Sequence, residues 1–502
     1  MIGLPSHDES YRDRVAGCWL GKSLGGTLGM PYEGCPDAVC ARFEDLSGKP
    51  LPNDDLELQL LWLWVLEQRG SRTRAADLAQ AAADHYICYP DEYGVSRWNT
   101  WRGFVPPVTG HHNNWFGDGM GAAIRSELWA CLFPGRPALA AAYAREDALI
   151  DHHGNGVWAE MFLAATESAA FVTRDIRAAV ATGLAHIPSD CRLARALHRV
   201  MAWHAEGLPW AEARLRVHRE FGHHNFTDVT VNLAFILIGL LYGNGDFEQS
   251  VVLAVNCGMD TDCTGATCGS LMGILLGASG LPAKWRTAGG DEVAISPSLR
   301  KLPLPITLTD LTARTLALAD QLATLPEGPL DHATPENAPT VEDPRAWLIF
   351  PVAVEQSMDG EPAAVTRAAK DPVAGRDHHV VVNSIHLDLA AHVQRPGDML
   401  YLLTWLRVDR TMDAQLMLCA DTGITAWLEG RQILNYHGRR KALPAFHRTE
   451  GGATVAVHLE AGCSYLLKVR LLGCNRPLSF TAALGDDEGR HVQPVAYEVP
   501  GL

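Results

Sequence analysis

The chain contains no apolar run approaching the roughly 20 residues that cross a bilayer, so nothing in it reads as a membrane span. Positive charge is also scarce. Lys and Arg number 42 against 58 Asp and Glu, a formal net charge of −16, and such a balance offers no non-specific grip on nucleic acid or an anionic membrane. Neither is expected as a partner. The twelve cysteines include no CxxC pair, and Cys257, Cys263 and Cys268 cluster without accompanying histidine ligands. That spacing points away from a structural zinc site and leaves free buried thiols as the expected state. No Ser-His-Asp constellation, P-loop or dinucleotide fingerprint is recognisable, because the glycines of 17–29 follow GxxxG rather than GxGxxG spacing. No short-period repeat is present either. The opening residues, Met1 to Arg14, are polar and mixed in charge, unlike a targeting segment. The reading is a cytoplasmic protein.

What the chain does have is two glycine stripes. In Met259-Asp-Thr-Asp-Cys-Thr-Gly-Ala-Thr-Cys-Gly-Ser-Leu-Met-Gly-Ile-Leu-Leu-Gly277, Gly265, Gly269, Gly273 and Gly277 recur every fourth residue. Each costs about 1 kcal/mol against alanine inside a helix, so a compensating contact is required. Residues four apart share one helix face, and the four together make a groove that another backbone can enter. Gly17, Gly21, Gly25 and Gly29 form a matching stripe near the N-terminus. The two helices are expected to nest antiparallel. That arrangement brings Glu33, just past the end of the first, to Asp260 and Asp262 at the start of the second.

A third stretch, Asn53-Asp-Asp55, opens another apolar helix. Each of these acids has an ordinary explanation as a helix cap favoured by the macrodipole. Together, however, Glu33, Asp54, Asp55, Asp260 and Asp262 would repel one another in a partly buried site unless they protonate or bind a cation. Oxygen ligands of this kind suit Mg²⁺, with Mn²⁺ or Ca²⁺ as alternatives, rather than structural zinc.

These three segments, in order and spacing, resemble the signature motifs of the ADP-ribosylglycohydrolase family, over about the first two thirds of the chain. The resemblance implies an all-helical domain that holds one or two Mg²⁺ ions while water cleaves a glycosidic bond at the anomeric carbon of a ribose. Carried over by motif, the metal positions are Asn53, Asp54, Asp55, Asp260, Asp262 and Cys263, with Glu33 beside them as base or water-positioning group and Asp55 and Asp262 also in catalytic roles. Two positions depart from the family pattern. Asn53 stands where a Thr normally precedes the two aspartates, and Cys263 stands where a Thr or Ser hydroxyl normally closes the second motif. An amide carbonyl still suits Mg²⁺, whereas a thiol is a poor match.

Helical periodicity dominates from Tyr11 to about Ala323, as in Ala75–Ile87, Gly119–Phe133, Ala138–Ile150, Val157–Val172, Asp228–Tyr242, Asp246–Asn256 and Leu308–Ala323. The stretch Tyr89–Asp118, polar and rich in tryptophan, reads as a long irregular loop bordering the pocket. Polar residues interrupting apolar segments supply substrate-binding candidates: Asn114 in that loop, Arg125 in Gly121–Trp129, and His153, Asn155 and Glu160 in Asp151–Glu160. The turn at 221–226, Phe-Gly-His-His-Asn-Phe, is a further pocket candidate. For any lone histidine, a core position satisfied by backbone groups is the commoner explanation.

A Pro-rich linker is expected over 325–346, dividing a helical domain, 1–324, from a β-domain, 347–502. Beyond the linker the period changes to two: Val455, Val457 and Leu459 alternate with polar or small residues, as do Tyr465, Leu467, Val469 and Leu471. The fold class is therefore an all-α orthogonal helical domain followed by a smaller all-β, jelly-roll-like sandwich. Asp421–Gly430, Leu443-Pro444 and Leu459–Lys468 resemble the jelly-roll modules appended to carbohydrate-active enzymes. A sugar-binding and a purely structural role are equally compatible with that module.

The function implied is a metal-dependent glycoside hydrolase acting on a ribosyl, ADP-ribosyl or related furanosyl conjugate, either a small molecule or an ADP-ribosylated substrate. A hydrolase of a plant or microbial glycoside on the same scaffold, and a non-catalytic binding protein, are the alternatives. A homo-oligomer is compatible with either enzyme.

Overall fold

A computed structural model of the chain describes residues 8–46, 49–87, 91–299, 302–328, 330, 333–335, 339, 341–357, 360–437, 444, 453–475, 478–486 and 495–502. Parts of the expected linker, and Leu443, lie outside these residues. By its internal contacts the chain divides into two units, Met1–Cys88 with Val95–Ala338, and Tyr89–Gly94 with Pro339–Leu502.

The first unit is helical, and its centre is the pair Glu9–Gly29 and Thr261–Leu276. Their glycine stripes face each other in antiparallel order: a Cβ added at Gly17, Gly21 or Gly25 would collide with the backbone of Gly273, Gly269 or Gly265 respectively. Gly29 closes the series against Thr261. The close approach is what offsets the poor helix propensity of these glycines. The first helix is buried from Gly17 to Gly29 apart from Ser23, and the second from Thr261 to Leu275, within a surround that includes Asp54–Arg69, Ser126–Leu132, Asn155–Ala170 and Val229–Tyr242.

Most expected helices form with small shifts at their ends, for example Pro137–Ala148 and Phe247–Asn256. The segment expected to be an irregular loop differs, since it contains the helix Asp91–Trp101 and the short helix Val108–His111. Tertiary hydrogen bonds hold it where periodicity gave no signal: Ser96 Oγ donates to the Ile150 carbonyl at 2.6 Å, and Asn99 Nδ2 donates to the Thr109 and His112 carbonyls.

The second unit contains two sheets. Its strands are β1 Arg345–Val352, β2 His379–Val382, β3 His386–Asp388, β4 Met399–Val408, β5 Met412–Ala420, β6 Gly423–Leu428, β7 Arg431–Tyr436, β8 Thr454–Leu459, β9 Ser464–Leu472, β10 Ser479–Gly485 and β11 Val495–Glu498. One sheet runs β2-β1-β11-β4-β9-β6-β7 and the other β3-β10-β5-β8. Pairing is antiparallel except between β1 and β11, which meet in parallel at Arg345 and Tyr497. Leu400, Leu402, Leu467 and Val469 from the larger sheet share one core with Leu416, Leu418 and Phe480 from the smaller. This is the two-layer sandwich that the period-two pattern predicts.

Candidate carboxylate centre

The end of the first glycine helix and the start of the second are tied by short hydrogen bonds, one from a side chain and two between backbones. Thr261 Oγ1 donates to the Gly29 carbonyl at 2.8 Å, while Gly34 N–H donates to the Met259 carbonyl at 2.9 Å and Met259 N–H to the Cys35 carbonyl at 2.6 Å. Gly258 and Met259 both take positive φ to make the turn, 76° and 68°, a geometry that favours glycine at the first position. Asn232, from Val229–Tyr242, fixes the following residue by accepting from the Asp260 N–H at 3.2 Å. Its amide nitrogen also donates to the Phe226 and Asp228 carbonyls, which places the 222–228 turn nearby, and the Phe226 ring lies beside Gly34.

Asp55 arrives from a different direction. Asn53 caps its helix, accepting from the Asp55 N–H at 2.7 Å. The carboxylate of Asp55 is 1% exposed and neither oxygen has a hydrogen-bond donor, although Lys22 Nζ stands 3.6 Å from Oδ1. Asp262 Oδ1 is likewise buried without a donor. Two sets of ligand atoms converge here. Asp55, Asp262 and Cys263 each offer one atom within 4.8 Å of the others, and so do Glu33, Asp260 and Asp262. Asp262 belongs to both sets. Asp260 is buried, Glu33 is exposed, and Asn53 and Asp54 lie half-buried at the same helix start.

Burial is the largest reason that Asp55 is pushed up to about 7, with Lys22 opposing and Asp54 and Glu127 reinforcing. Asp260 and Asp262 are held well above the usual carboxylate range, first by desolvation and then by mutual repulsion with Glu33 and Asp55. Buried acceptors without donors, surrounded by like charge, are unfavourable unless a cation or protons compensate. The centre therefore fits a metal ion through its own chemistry.

Beneath Asp55 lies a layer that motif reading missed. Lys22 Nζ donates to Glu127 Oε1 at 2.8 Å, Ser270 Oγ donates to the same oxygen at 2.9 Å, and Gln59 Nε2 donates to Glu127 Oε2 at 2.9 Å and to the Asp55 carbonyl at 2.8 Å. All four side chains are buried. The available signal was a lysine inside a glycine helix and a glutamate inside an apolar one.

The substrate-binding candidates form two hydrogen-bonded networks. Arg125, fully buried, donates both terminal nitrogens to Asp151 at 2.8 and 2.9 Å and pairs with Asp147 at 2.8 Å. Glu160 joins that network by accepting from Trp129 Nε1 at 3.0 Å, and desolvation followed by repulsion from Asp147 raises its carboxyl. His152 completes it: Nε2 accepts from the Ala122 N–H, so Nδ1 carries the proton that faces Asp151 at 2.6 Å. Asn114 donates to the Gly110 and Asp151 carbonyls and accepts from the Phe116 N–H, shaping its own loop. His153 Nε2 lies 3.0 Å from the Asn114 carbonyl, with its ring 5.2 Å from that of His111. Asn155 donates to Asp118 and accepts from the Leu193 N–H. Among the described residues, His153 and Glu160 belong to neither set of converging ligand atoms.

No helix among the described residues is long and apolar enough to cross a membrane. The described cysteines are all free thiols.

Comparison with known proteins adds to this geometry. A solved structure described as an "ADP-ribosylglycohydrolase-related protein complex" is similar at 22% identity, covering 62% of this chain and 99% of that one, with a TM-score of 0.44. Smaller likenesses reach a β-glucosidase from Kluyveromyces marxianus (15% identity, 28% of this chain, 16% of that one, TM-score 0.21) and an anti-sigma factor domain-containing protein from Clostridium clariflavum (14%, 23%, 38%, 0.18). The chain thus spans about a sixth of that β-glucosidase. No curated protein matches. The family model described as ADP-ribosylglycohydrolase matches residues 7–329, a span that contains both glycine helices and every acid of the centre, and the chain belongs to that glycohydrolase family.

Proposed function

We propose that this protein hydrolyses a glycosidic bond at the anomeric carbon of a ribosyl, ADP-ribosyl or related furanosyl conjugate, with Mg²⁺ held by the carboxylate centre. The observation that supports it most is the set of buried, donor-free oxygens on Asp55 and Asp262 beside the exposed Glu33. Asp55, Asp260 and Asp262 would hold the ion, joined by the carbonyl of Asn53 and by Asp54, with the Cys263 thiol beside them. When bound, the cation supplies orientation of the sugar hydroxyls and polarisation of the attacking oxygen.

The chain's own residues do the rest. Glu33, the exposed member of the centre, would accept the proton of the attacking water on a carboxylate oxygen, and its negative charge would favour the oxocarbenium-like carbon. Gln59 would fix the Asp55 backbone through its carbonyl, and Lys22, held by Glu127, would balance part of the charge of the Asp55 carboxylate from 3.6 Å. A screen of chromogenic furanosides and ADP-ribosyl substrates, with and without Mg²⁺, tests this reading. Turnover of a ribosyl or furanosyl compound that stops in EDTA is expected. Turnover confined to pyranosides, or unchanged in EDTA, contradicts it.

A further inference from the structure

The two converging ligand sets are not chemically alike. The outer one, Glu33, Asp260 and Asp262, is all carboxylate and includes an exposed member; the inner one, Asp55, Asp262 and Cys263, is wholly buried and contains a sulfur. We propose that the centre is two-sided, with an inner position that takes a thiophilic divalent cation through Cys263 Sγ and an outer position that takes a hard cation such as Mg²⁺. This rests on the reading that the carboxylates hold cations at all.

Three observations carry it. Cys263 is 6% exposed and sits in the first turn of Thr261–Leu276, where its Sγ lies within 4.8 Å of oxygens from both Asp55 and Asp262. Those two aspartates are 1% and 5% exposed and carry the oxygens without donors, so the inner pocket has unsatisfied acceptors aimed into it independently of the thiol. Finally, ligand softness sorts divalent ions: carboxylates suit Mg²⁺, and a thiolate with carboxylates suits Zn²⁺, Co²⁺ or Cd²⁺. On binding, the Sγ–H bond breaks, an Sγ–metal bond forms and the proton leaves to solvent, with no change of oxidation state. The competing explanation is that the thiol only fills the place of a hydroxyl and donates to Asp260.

The test uses the full chain, freed of metal with chelator and titrated with Co²⁺, while Mg²⁺ binding is followed by calorimetry. A thiolate-to-cobalt charge-transfer band in wild type that is absent from Cys263→Ser is expected. Cys40 and Cys463, exposed among the described residues, are present in both proteins, as is every other cysteine, and cancel. The Ser variant should also lose about tenfold or more in Cd²⁺ affinity, since losing a group that merely supports a ligand already costs about 10–100-fold, and it should bind Mg²⁺ no more weakly. Cys263→Ala provides the same readouts should the serine alter the fold. Mg²⁺ binding without any charge-transfer band in wild type overturns this inference alone, as does a band that survives in both variants. Absence of binding by either ion overturns the cation reading beneath it as well.

Discussion

Lys22 offers a perturbation whose size can be worked out in advance. Its ammonium is 1% exposed, lies 2.8 Å from Glu127 and 3.6 Å from Asp55, and is held protonated by those two acids despite burial. Replacing it with Met keeps the apolar stem and removes the charge. Two buried carboxyls then lose their counter-ion, a change that destabilises by about 3–5 kcal/mol in comparable buried pairs. The loss should depend on pH. Asp55 can escape repulsion by taking up a proton, and losing Lys22 raises its carboxyl further above the wild-type value of about 7, so the deficit is largest at high pH and shrinks as pH falls toward neutrality. A second change, Glu127→Gln, removes one stranded charge and keeps one acceptor oxygen, enough for either Ser270 or Gln59, and should restore part of the lost stability. The assay is urea unfolding in EDTA at several pH values for wild type, both single variants and the double. A single-variant loss below about 1 kcal/mol, the range of exposed pairs, or an additive double variant, would refute the buried-triad argument.

Two further outcomes follow from the same geometry. Gly269→Val places a branched side chain against the Gly21 backbone and should cost about 1–3 kcal/mol or more, read as a lower melting temperature; unchanged melting would contradict the glycine-groove packing. In EDTA the wild type should be more stable at about pH 5 than at about pH 8, because the folded state retains protons on Asp55, and on Asp260 and Asp262, that the unfolded chain has released. That stability is lost as pH rises toward and through about 7, and saturating Mg²⁺ should flatten the slope; urea midpoints at the two pH values check both.

Much of this was legible because some sequence features admit few structural explanations. Two stripes of glycine at fourfold spacing are unfavourable in isolated helices, so their mutual packing was readable, and with it the meeting of Glu33 with Asp260 and Asp262. The strands also announced themselves: Val455, Val457 and Leu459 lie in β8, and Tyr465 to Leu471 lie in β9. What sequence conceals is which buried polar groups face one another. Lys22 and Glu127 are 105 positions apart, and no local pattern reports that helix rotation points one at the other. The same holds for Arg125, whose partners Asp147 and Asp151 come from a different helix and the turn after it. The helix Asp91–Trp101 was obscured because its tryptophans, Asn99 and Arg97 carry no clean apolar face, and hydrogen bonds from Ser96 to the distant Ile150 carbonyl and from Asn99 across the segment hold it instead.

The central claim is that the carboxylates act through a bound cation rather than as helix caps, and Asp262, common to both ligand sets, tests it most directly. Thermal unfolding of wild type and Asp262→Asn should be measured in EDTA and again with excess Mg²⁺, alongside turnover of the best substrate from the screen. Removing one of several repelling acids should leave the variant's melting at or above wild type in EDTA. Mg²⁺ at a hundredfold excess over its Kd should stabilise wild type by about 2.7 kcal/mol and the variant by visibly less, with most turnover lost. A variant that melts well below wild type in EDTA, or wild-type turnover that survives EDTA, would contradict the account.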